Sequence, residues 1–187
     1  MNKGKLIILS SPSGGGKTTV YRTLLADDPN MKYSISYTTR PKRVNEENGK
    51  DYFFVTIKEF KKMIKNKEFL EREKVYGNYY GTSKKMVLNF LEQGSHCILD
   101  LDVKGGRHLK KIFYDGVFIF LQPPSIEELE RRLFKRNTDT PKVIKKRLKN
   151  VKKELKFSKF YDYIIVNDNI DNVIQKVKKI IYEEKDA

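Results

Sequence analysis

The chain has 187 residues, a length that suits one compact domain with a sizeable buried core. Hydrophobic residues make up 39% of it, with 11 Tyr and 11 Phe, and this composition excludes an intrinsically disordered chain. Its 39 Lys and Arg outnumber its 24 Asp and Glu, and the formal net charge of +15 attracts polyanions such as nucleotides, nucleic acid or acidic membranes. The charge alone does not distinguish among these partners, and most lysines on helices simply face solvent.

The single cysteine and the N-terminal segment indicate the compartment. Cys97 is the one cysteine of the sequence and lies in an apolar run, so we expect a buried thiol in a reducing environment. The apolar segment before Ser10 is too short for the core of a signal peptide or for a membrane span. We therefore expect a cytoplasmic protein without a membrane partner.

The first predicted element is a short buried strand, Leu-Ile-Ile-Leu at residues 6–9, which ends at a cluster of Ser, Pro and Gly. A helix over residues 18–26 follows that cluster. Three later apolar runs each precede a segment with helical periodicity, at residues 97–101, 117–121 and 163–166. This alternation predicts an α/β fold, with a core parallel sheet flanked by helices and an amphipathic helix over residues 170–181 at its end.

Two segments interrupt this alternation. Between residues 34 and 81 the pattern changes to β-rich pieces around one helix near 57–65, which predicts a small inserted subdomain. The pieces are residues 33–38, 51–56 and 74–80. Residues 124–154 are helical and rich in Arg and Lys, and such a segment can close over a phosphate-bearing ligand. Helix starts are marked by Thr56 with Glu59, Ser125 with Glu128, and Thr140 before Pro141.

Residues 11–18, Ser-Pro-Ser-Gly-Gly-Gly-Lys-Thr, have the spacing of a phosphate-binding loop, with serine in place of its first glycine. Glycines let backbone N–H groups surround phosphate oxygens at a helix N-terminus, and Lys17 adds a positive charge for the outer phosphates. Thr18 is placed to bind Mg²⁺, and Thr19 to reach an inner phosphate of ATP. The predicted ATP-binding residues are Ser13, Gly14, Gly15, Gly16, Lys17, Thr18 and Thr19. The alternative is a glycine-rich turn that binds no ligand.

Two arginines, Arg40 and Arg43, follow a run rich in hydroxyl residues at 34–39. Planar guanidinium groups can each grip a phosphate with two hydrogen bonds. This segment, together with Asn-Gly-Lys-Asp-Tyr at 48–52, Phe-Leu-Glu at 69–71 and Gly-Asn-Tyr-Tyr-Gly-Thr at 77–82, resembles the monophosphate-binding region of guanylate kinases. One departure is Pro41, which directly follows the first arginine, one position earlier than the family usually has it.

The resemblance covers nearly the whole chain and implies a binding site for GMP. The phosphate of GMP would be held by Ser36, Arg40, Arg43, Tyr52 and Tyr80, and its guanine by Glu71, Thr82 and Asp102. The chemistry agrees, because guanine presents N1–H and an exocyclic amine side by side and a carboxylate accepts from both, whereas adenine has a bare ring nitrogen there. Each residue also has a plain structural alternative: a core tyrosine, a Glu–Lys pair, or an exposed arginine on a strand.

An apolar strand ends in Asp100 and Asp102, the arrangement by which nucleotide-binding folds present a carboxylate to Mg²⁺ or its waters. We expect Asp100 at the metal, together with Thr18, and Asp102 at the base. The alternative for Asp102 is to cap the helix that begins near Val103.

In the basic helical segment, Arg132 and Arg136 are four residues apart and share one helix face, where they can meet negative charge together. The resemblance adds Arg147 to this lid, and it places Asn167 and Asp168 on the adenine side of ATP. A turn or a helix cap explains Asn167 and Asp168 equally well. The implied catalytic residues are Lys17, Arg43, Arg132, Arg136 and Arg147.

The resemblance implies one domain in three parts: a core of residues 1–33, 86–124 and 155–187, a GMP-binding region of 34–85 and a lid of 125–154. The implied reaction is the Mg²⁺-dependent transfer of a phosphoryl group from ATP to GMP or dGMP, by a monomer or weak homodimer. The alternatives are a kinase for another monophosphate, a protein-binding module without catalysis, and an RNA-binding protein. The intact Gly-Lys-Thr at 16–18 argues against the module, and no RNA-recognition motif is present, so no specific nucleic-acid partner is expected.

Overall fold

The computed structural model describes residues 3–135 and 141–182, in which strands and helices alternate. The strands β1 to β9 are Leu6–Ser10, Met31–Tyr33, Tyr37–Thr38, Phe53–Phe54, Phe69–Val75, Asn78–Ser83, His96–Asp100, Val117–Gln122 and Tyr163–Val166. The helices α1 to α7 are Lys17–Asp27, Ile57–Lys65, Lys84–Glu92, Val103–Ile112, Ile126–Lys135, Pro141–Leu155 and Ile170–Tyr182, and a 3-10 helix over Lys156–Phe160 follows α6. None of the described helices is long and apolar enough to cross a membrane.

Five strands form the main sheet in the order β2-β7-β1-β8-β9, and their pairings are all parallel. The central strand β1 is buried along its whole length, which is why its sequence is an apolar run without alternation. In the register of β1 and β7, Leu9 lies beside Asp100, so the loop after β1 and the carboxylate of Asp100 lie at the same edge of the sheet. The predicted α/β class with a core parallel sheet is confirmed.

Helices cover both faces of the main sheet. On one face, Ile7 belongs to an apolar cluster with residues of α1 and α7, and on the other, Ile8 belongs to a cluster with residues of α3 and α4. Successive side chains of a strand point to opposite faces, so both clusters form around the same strand. Cys97 is a buried free thiol in the second cluster, as predicted, and its burial raises the pKa of the thiol to about 12.

A second sheet, in the order β4-β3-β6-β5, makes up the inserted region between β2 and α3. Its helix α2 begins with the predicted capping box, since the Thr56 hydroxyl accepts the Glu59 N–H and the Glu59 carboxylate accepts the Thr56 N–H at 2.7 Å. Phe60 of α2 is fully buried and stacks on Phe69 and Tyr79, with ring centroids 4.5 and 5.5 Å away. The region therefore has an aromatic core of its own.

All three predicted strands in this region have different bounds in the structure, and the predicted strand 51–56 is reduced to Phe53–Phe54. The predicted strand 33–38 is divided, because Tyr33 ends β2 of the main sheet and stacks on Tyr21 of α1, whereas Tyr37 begins β3. The predicted strand 74–80 contains the turn between β5 and β6, where Tyr76 and Gly77 have φ angles of 49° and 93°. Positive φ at both central residues is typical of a type I′ hairpin turn. Tyrosine is an unusual residue there, which is why the sequence pattern conceals the turn.

Helices α5 and α6 occupy the predicted lid and share a small apolar cluster. The Ser125 hydroxyl accepts the Glu128 N–H at 3.1 Å, as the predicted cap requires. The Glu128 carboxylate bonds two arginines of its own helix. Pro141 begins α6, and Thr140 lies outside the described residues.

Candidate active site

The loop between β1 and α1 has the backbone path of a phosphate-binding loop. Gly14 and Gly16 have φ angles of 92° and 94°, a region that residues with a Cβ rarely adopt. A Cβ on Gly15 would lie 2.5 Å from the Ser11 Oγ atom, so the serine at the first motif position occupies space that Gly15 leaves open. The Gly15 N–H donates to the Pro12 carbonyl at 2.9 Å. Serine at the first position is thus compatible with the loop.

Lys17 begins α1, and its Nζ atom lies 3.4 Å from Asp100 Oδ1 at the end of β7. Both side chains are largely buried, with 18% and 15% of their surface exposed. Within residues 3–135 and 141–182, no group of three or more His, Cys, Asp or Glu side chains is placed to hold a metal ion. Any divalent ion at Asp100 would therefore depend on other oxygen ligands as well.

One cleft of about 700 Å³ brings together residues from distant parts of the sequence. It lies between the phosphate-binding loop, the second sheet, the start of α4 and the lid helix α6. Its lining includes the predicted site residues Ser13, Gly14, Gly15, Gly16, Lys17, Thr18, Ser36, Arg40, Arg43, Tyr52, Glu71, Tyr80, Asp100, Asp102 and Arg147. Most of the predicted ATP and GMP residues thus face a shared space, whereas Thr19, Thr82, Asn167 and Asp168 do not line it.

Glu71 and Thr82 are cross-strand neighbours on β5 and β6. The Thr82 hydroxyl donates to Glu71 Oε1 at 2.7 Å, and only 5% of Glu71 is exposed. Burial raises the pKa of Glu71 to about 7, although the hydrogen bond from Thr82 opposes that rise, and the nearby charge of Asp102 adds to it. Thr82 itself is fully buried. Its position makes it a support for Glu71, and Glu71 is the group that faces the cleft.

Asp102 is the N-cap of α4. Its Oδ1 atom accepts the backbone N–H groups of Lys104 at 3.1 Å and Gly105 at 2.6 Å. The capping alternative is therefore correct for this oxygen, while the side chain also lines the cleft. A Cβ on Gly105 would lie 3.0 Å from Glu71 Oε2, so the absence of a side chain there lets Glu71 approach the start of the helix.

Arg40 and Arg43 are joined by a carboxylate that sequence reasoning missed. Arg40 Nη2 donates to Glu46 Oε1 at 2.7 Å, and the Arg43 backbone N–H donates to Glu46 Oε2 at 2.9 Å. Burial favours the neutral acid, but the bonds from Arg40 and Arg43 keep the pKa of Glu46 below its ordinary value. The Arg40 guanidinium also lies 5.4 Å from the ring centroid of Tyr52. The available signal was a carboxylate three residues after Arg43 in a basic segment.

Comparison with known proteins decides among the monophosphate kinases. The sequence model of the guanylate kinase family, described as "Guanylate kinase", matches residues 3–184. The chain belongs to the guanylate kinase family. It is 46% identical to the guanylate kinase of Carboxydothermus hydrogenoformans, over 99% of this chain and 91% of that protein. The guanylate kinase of Rickettsia bellii is 45% identical, over 98% of this chain and 96% of that protein.

A solved structure agrees with these relatives. The crystal structure of guanylate kinase from Anaplasma phagocytophilum matches with a TM-score of 0.83 and 34% identity, over 100% of this chain and 89% of that one. The predicted family is confirmed. With it the enzyme class is confirmed, a nucleoside monophosphate kinase that transfers phosphoryl groups from ATP to GMP.

Helix α6, which lies in the predicted lid of this guanylate kinase family member, contacts the loop after β1. Arg147 Nη1 donates to Ser13 Oγ at 3.2 Å, and the Ser13 N–H donates to Glu154 Oε2 at 3.1 Å. Arg132 is directed elsewhere, because its Nη2 donates to the Asn167 carbonyl at 2.9 Å and its Nε to a glutamate of its own helix. Arg136 lies outside the described residues.

A smaller pocket lies beside the loop on the side of α5. Arg132, Asn167 and Thr19 line it together with Gly14 and Gly16. Asn167 is buried and its Nδ2 donates to the Gly15 carbonyl at 2.7 Å, so it supports the loop directly. Asp168 is exposed, and its Oδ1 accepts the N–H of the next residue at 2.7 Å. The turn alternative describes Asp168, whereas Asn167 lies at the pocket.

Proposed function

We propose that the cleft is where this chain transfers the γ-phosphoryl group of ATP to GMP, giving ADP and GDP. Membership of the family supplies the reaction. The observation that carries the placement is the shared cleft, in which Lys17 at the start of α1, the arginine pair of the loop after β3 and buried Glu71 all face one space. The acceptor phosphate oxygen of GMP is the nucleophile, so catalysis consists of alignment and charge neutralisation.

Guanine is assigned to the end of the cleft at Glu71. An ionised Glu71 accepts from guanine N1–H and from the exocyclic amine, and Thr82 fixes the orientation of the carboxylate through its 2.7 Å hydrogen bond. Adenine offers no donor at its ring nitrogen, so AMP would leave the buried carboxylate without a partner on the base, with only Thr82 bonded to it. Asp102 lies close to Glu71 at the start of α4 and is assigned to the same end.

The phosphate of GMP is assigned to Arg40 and Arg43, with the hydroxyls of Ser36, Tyr52 and Tyr80 around it. These five residues line the cleft, and the rings of Tyr52 and Tyr80 meet edge to face with centroids 6.0 Å apart. A guanidinium fork binds phosphate with two parallel hydrogen bonds. Glu46 accepts a hydrogen bond from Nη2 of Arg40 in the structure, so the phosphate of GMP binds Arg40 either beside this carboxylate or in exchange for it.

ATP is assigned to the phosphate-binding loop, where the backbone N–H groups of Gly14, Gly16, Lys17 and Thr18 surround its phosphates and the Lys17 side chain meets the outer ones. Arg147 reaches the loop at Ser13 and stands where charge develops during transfer. Thr19, Arg132 and Asn167 line the smaller pocket, which we assign to the rest of ATP. Residues 34–85 and 125–154 act in this scheme as the GMP-binding region and the lid.

The residues present fit a magnesium ion that arrives with ATP. Mg²⁺ usually keeps several waters and takes one or two protein oxygens together with phosphate oxygens, which suits a cleft with one carboxylate at the loop. Thr18 would hold the ion through its hydroxyl and Asp100 through a water. The ion supplies neutralisation of the phosphate charge. The proposal includes dGMP as an acceptor, since it carries the same base and phosphate.

The test is phosphoryl transfer from ATP to GMP, dGMP, AMP, UMP and dTMP, with and without Mg²⁺. We expect turnover with GMP and dGMP, none with the pyrimidine nucleotides, and loss of turnover when Mg²⁺ is chelated. A preference for AMP would refute the assignment of Glu71 to guanine. Equal turnover in the absence of divalent ions would refute the assignment of Thr18 and Asp100.

A further inference from the structure

One residue of the phosphate-binding loop, Ser13, is held from the lid helix α6 by two side chains of opposite charge. Arg147 Nη1 donates to the Ser13 hydroxyl at 3.2 Å, and Glu154 Oε2 accepts the Ser13 N–H at 3.1 Å. Arg147 and Glu154 are seven residues apart, so both lie on one face of α6. The two bonds connect positions that are more than 130 residues apart in sequence. They therefore fix the lid helix relative to the loop.

The loop needs such an anchor. It contains three consecutive glycines, two of them with positive φ, and Asn167 holds it at the Gly15 carbonyl but not at Ser13. Helix α6 is more rigid, because Ile144 and Val151 are buried against α5 on the neighbouring face. The hydrogen bonds between α6 and Ser13 thus hold this part of the loop at a place that is set by the packed helix.

A carboxylate is an unexpected group at this place. Glu154 and Arg147 both line the cleft where ATP phosphates are assigned, and a carboxylate beside phosphates is repelled by them. Its use therefore lies in accepting a hydrogen bond from the loop, and the guanidinium on the same helix face offsets its charge. The same carboxylate is also near Tyr76 at the tip of the β5–β6 hairpin, where its charge contributes to a raised pKa of the phenol after the larger effect of burial.

We propose that Glu154 is a positioning residue for phosphoryl transfer, which holds Ser13 and thereby sets where Arg147 stands relative to the phosphates of ATP. This inference rests on the proposed function of the cleft. Glu154 touches no reacting atom in this scheme and acts through Arg147. The role requires a side chain long enough to bring an acceptor oxygen to the Ser13 N–H. It does not require a negative charge, because the amide oxygen of glutamine also accepts that N–H.

Two variants separate the effect of side-chain length at position 154 from the effect of its charge. Glu154→Gln keeps the length and an acceptor oxygen, and we expect kcat within about threefold of the parent enzyme. Glu154→Asp keeps the charge but withdraws the carboxylate by one methylene, and we expect kcat to fall about tenfold, as a lost hydrogen bond to a charged group implies. The KM for GMP stays within about twofold in both variants, because the arginine pair and Glu71 are unchanged. Glu130→Asp, an exposed glutamate of α5, is the matched control and keeps the parent kcat.

The same substitutions are then made in an Arg147→Ala background. If Glu154 acts through Arg147, Glu154→Asp lowers kcat there by less than about threefold, because the group that it positions is gone. Thermal unfolding of every variant is recorded alongside. A tenfold loss in both backgrounds, an active Glu154→Asp with an inactive Glu154→Gln, or a lowered melting temperature at unchanged kcat each overturns the proposal. An inactive parent enzyme would instead overturn the proposed function.

Discussion

Replacing Glu71 with glutamine should make the nucleotide-free protein more stable at pH 8 while impairing its use of GMP. Glu71 is 5% exposed, and burial raises its pKa from 4.5 to about 7, ahead of the smaller effects of Thr82 and Asp102. At pH 8 the fold therefore contains a buried carboxylate in its unfavourable, ionised form. Glutamine has nearly the same size and keeps an oxygen for the Thr82 hydroxyl, but it is neutral at every pH.

The size of this stability change follows from the linkage between folding and proton binding at Glu71. Between pH 4.5 and about 7 the folded chain holds a proton on Glu71 that the unfolded chain has released, so the contribution of this group to stability is largest below pH 4.5. It decreases as the pH rises through 7, by about 3 kcal/mol in total for a shift of this size. Glu71→Gln removes that decrease. The variant should unfold at higher denaturant concentration than the parent at pH 8 and at nearly the same concentration at pH 5.

The predicted gain in stability is measured by urea unfolding at pH 5 and pH 8 without nucleotide, with Glu92→Gln on the exposed side of α3 as the matched control. The second part is kcat/KM for GMP at pH 8, which should fall about 10- to 100-fold in Glu71→Gln, as the loss of a charged hydrogen-bond acceptor implies. In the parent, kcat/KM for GMP should also fall as the pH is lowered through 7, and this step should be missing in the variant. The reasoning is refuted if Glu71→Gln destabilises the protein equally at both pH values.

Three further changes test other parts of the structure. Lys17→Ala should lower kcat about a thousandfold, because it removes a charge from the transferring phosphate; since it also removes the contact with Asp100, the melting temperature is recorded alongside, and a folded variant with unchanged kcat would contradict this. Gly16→Ala should weaken ATP binding about tenfold by calorimetry, since its φ is 94° and the new Cβ would lie 2.4 Å from Asn167 Nδ2. Lys67→Gly should stabilise the fold by about 1 kcal/mol in urea unfolding, because Lys67 has a φ of 56° at the residue after the C-cap of α2. Lys65→Gly inside the same helix should do the opposite.

The parts of the fold that sequence predicts are those set by local pattern. The strand before the loop and the helix after it follow from an uninterrupted apolar run and a glycine cluster, and both have nearly the predicted bounds. Strand β2 has only three residues and pairs with β7, so nothing local marks it as part of the main sheet. The turn at Tyr76 also has no local signal in the sequence. The pairing of β5 with β6 forces this tyrosine into a positive-φ conformation that its own preferences disfavour.

The candidate site shows the same division. The cations were recognisable from spacing, since a phosphate-binding loop and an arginine pair have few other uses in that order. The carboxylates of Glu46 and Glu154 were not recognisable, because each of their pairings depends on tertiary placement. Glu154 reaches Ser13 across 141 positions of sequence, and Glu46 reaches Arg40 only because the loop after β3 folds back. The sequence left two roles open for Asp102, contact with the base or capping of α4. The structure shows its Oδ1 atom accepting the Gly105 N–H at the start of α4.

These carboxylate partners change how affinity and selectivity arise in the cleft. Lys17 lies 3.4 Å from Asp100, and Arg40 donates to Glu46 at 2.7 Å, so the cations assigned to phosphates already have anions beside them. Phosphate binding then adds to these ion pairs or replaces them, so its net gain is smaller than the positive charges alone suggest. Glu71 differs, because burial raises its pKa and guanine supplies donors that water cannot supply in the buried site. Under the proposed assignment, the base is therefore the part of GMP that this cleft distinguishes more than it distinguishes the phosphate.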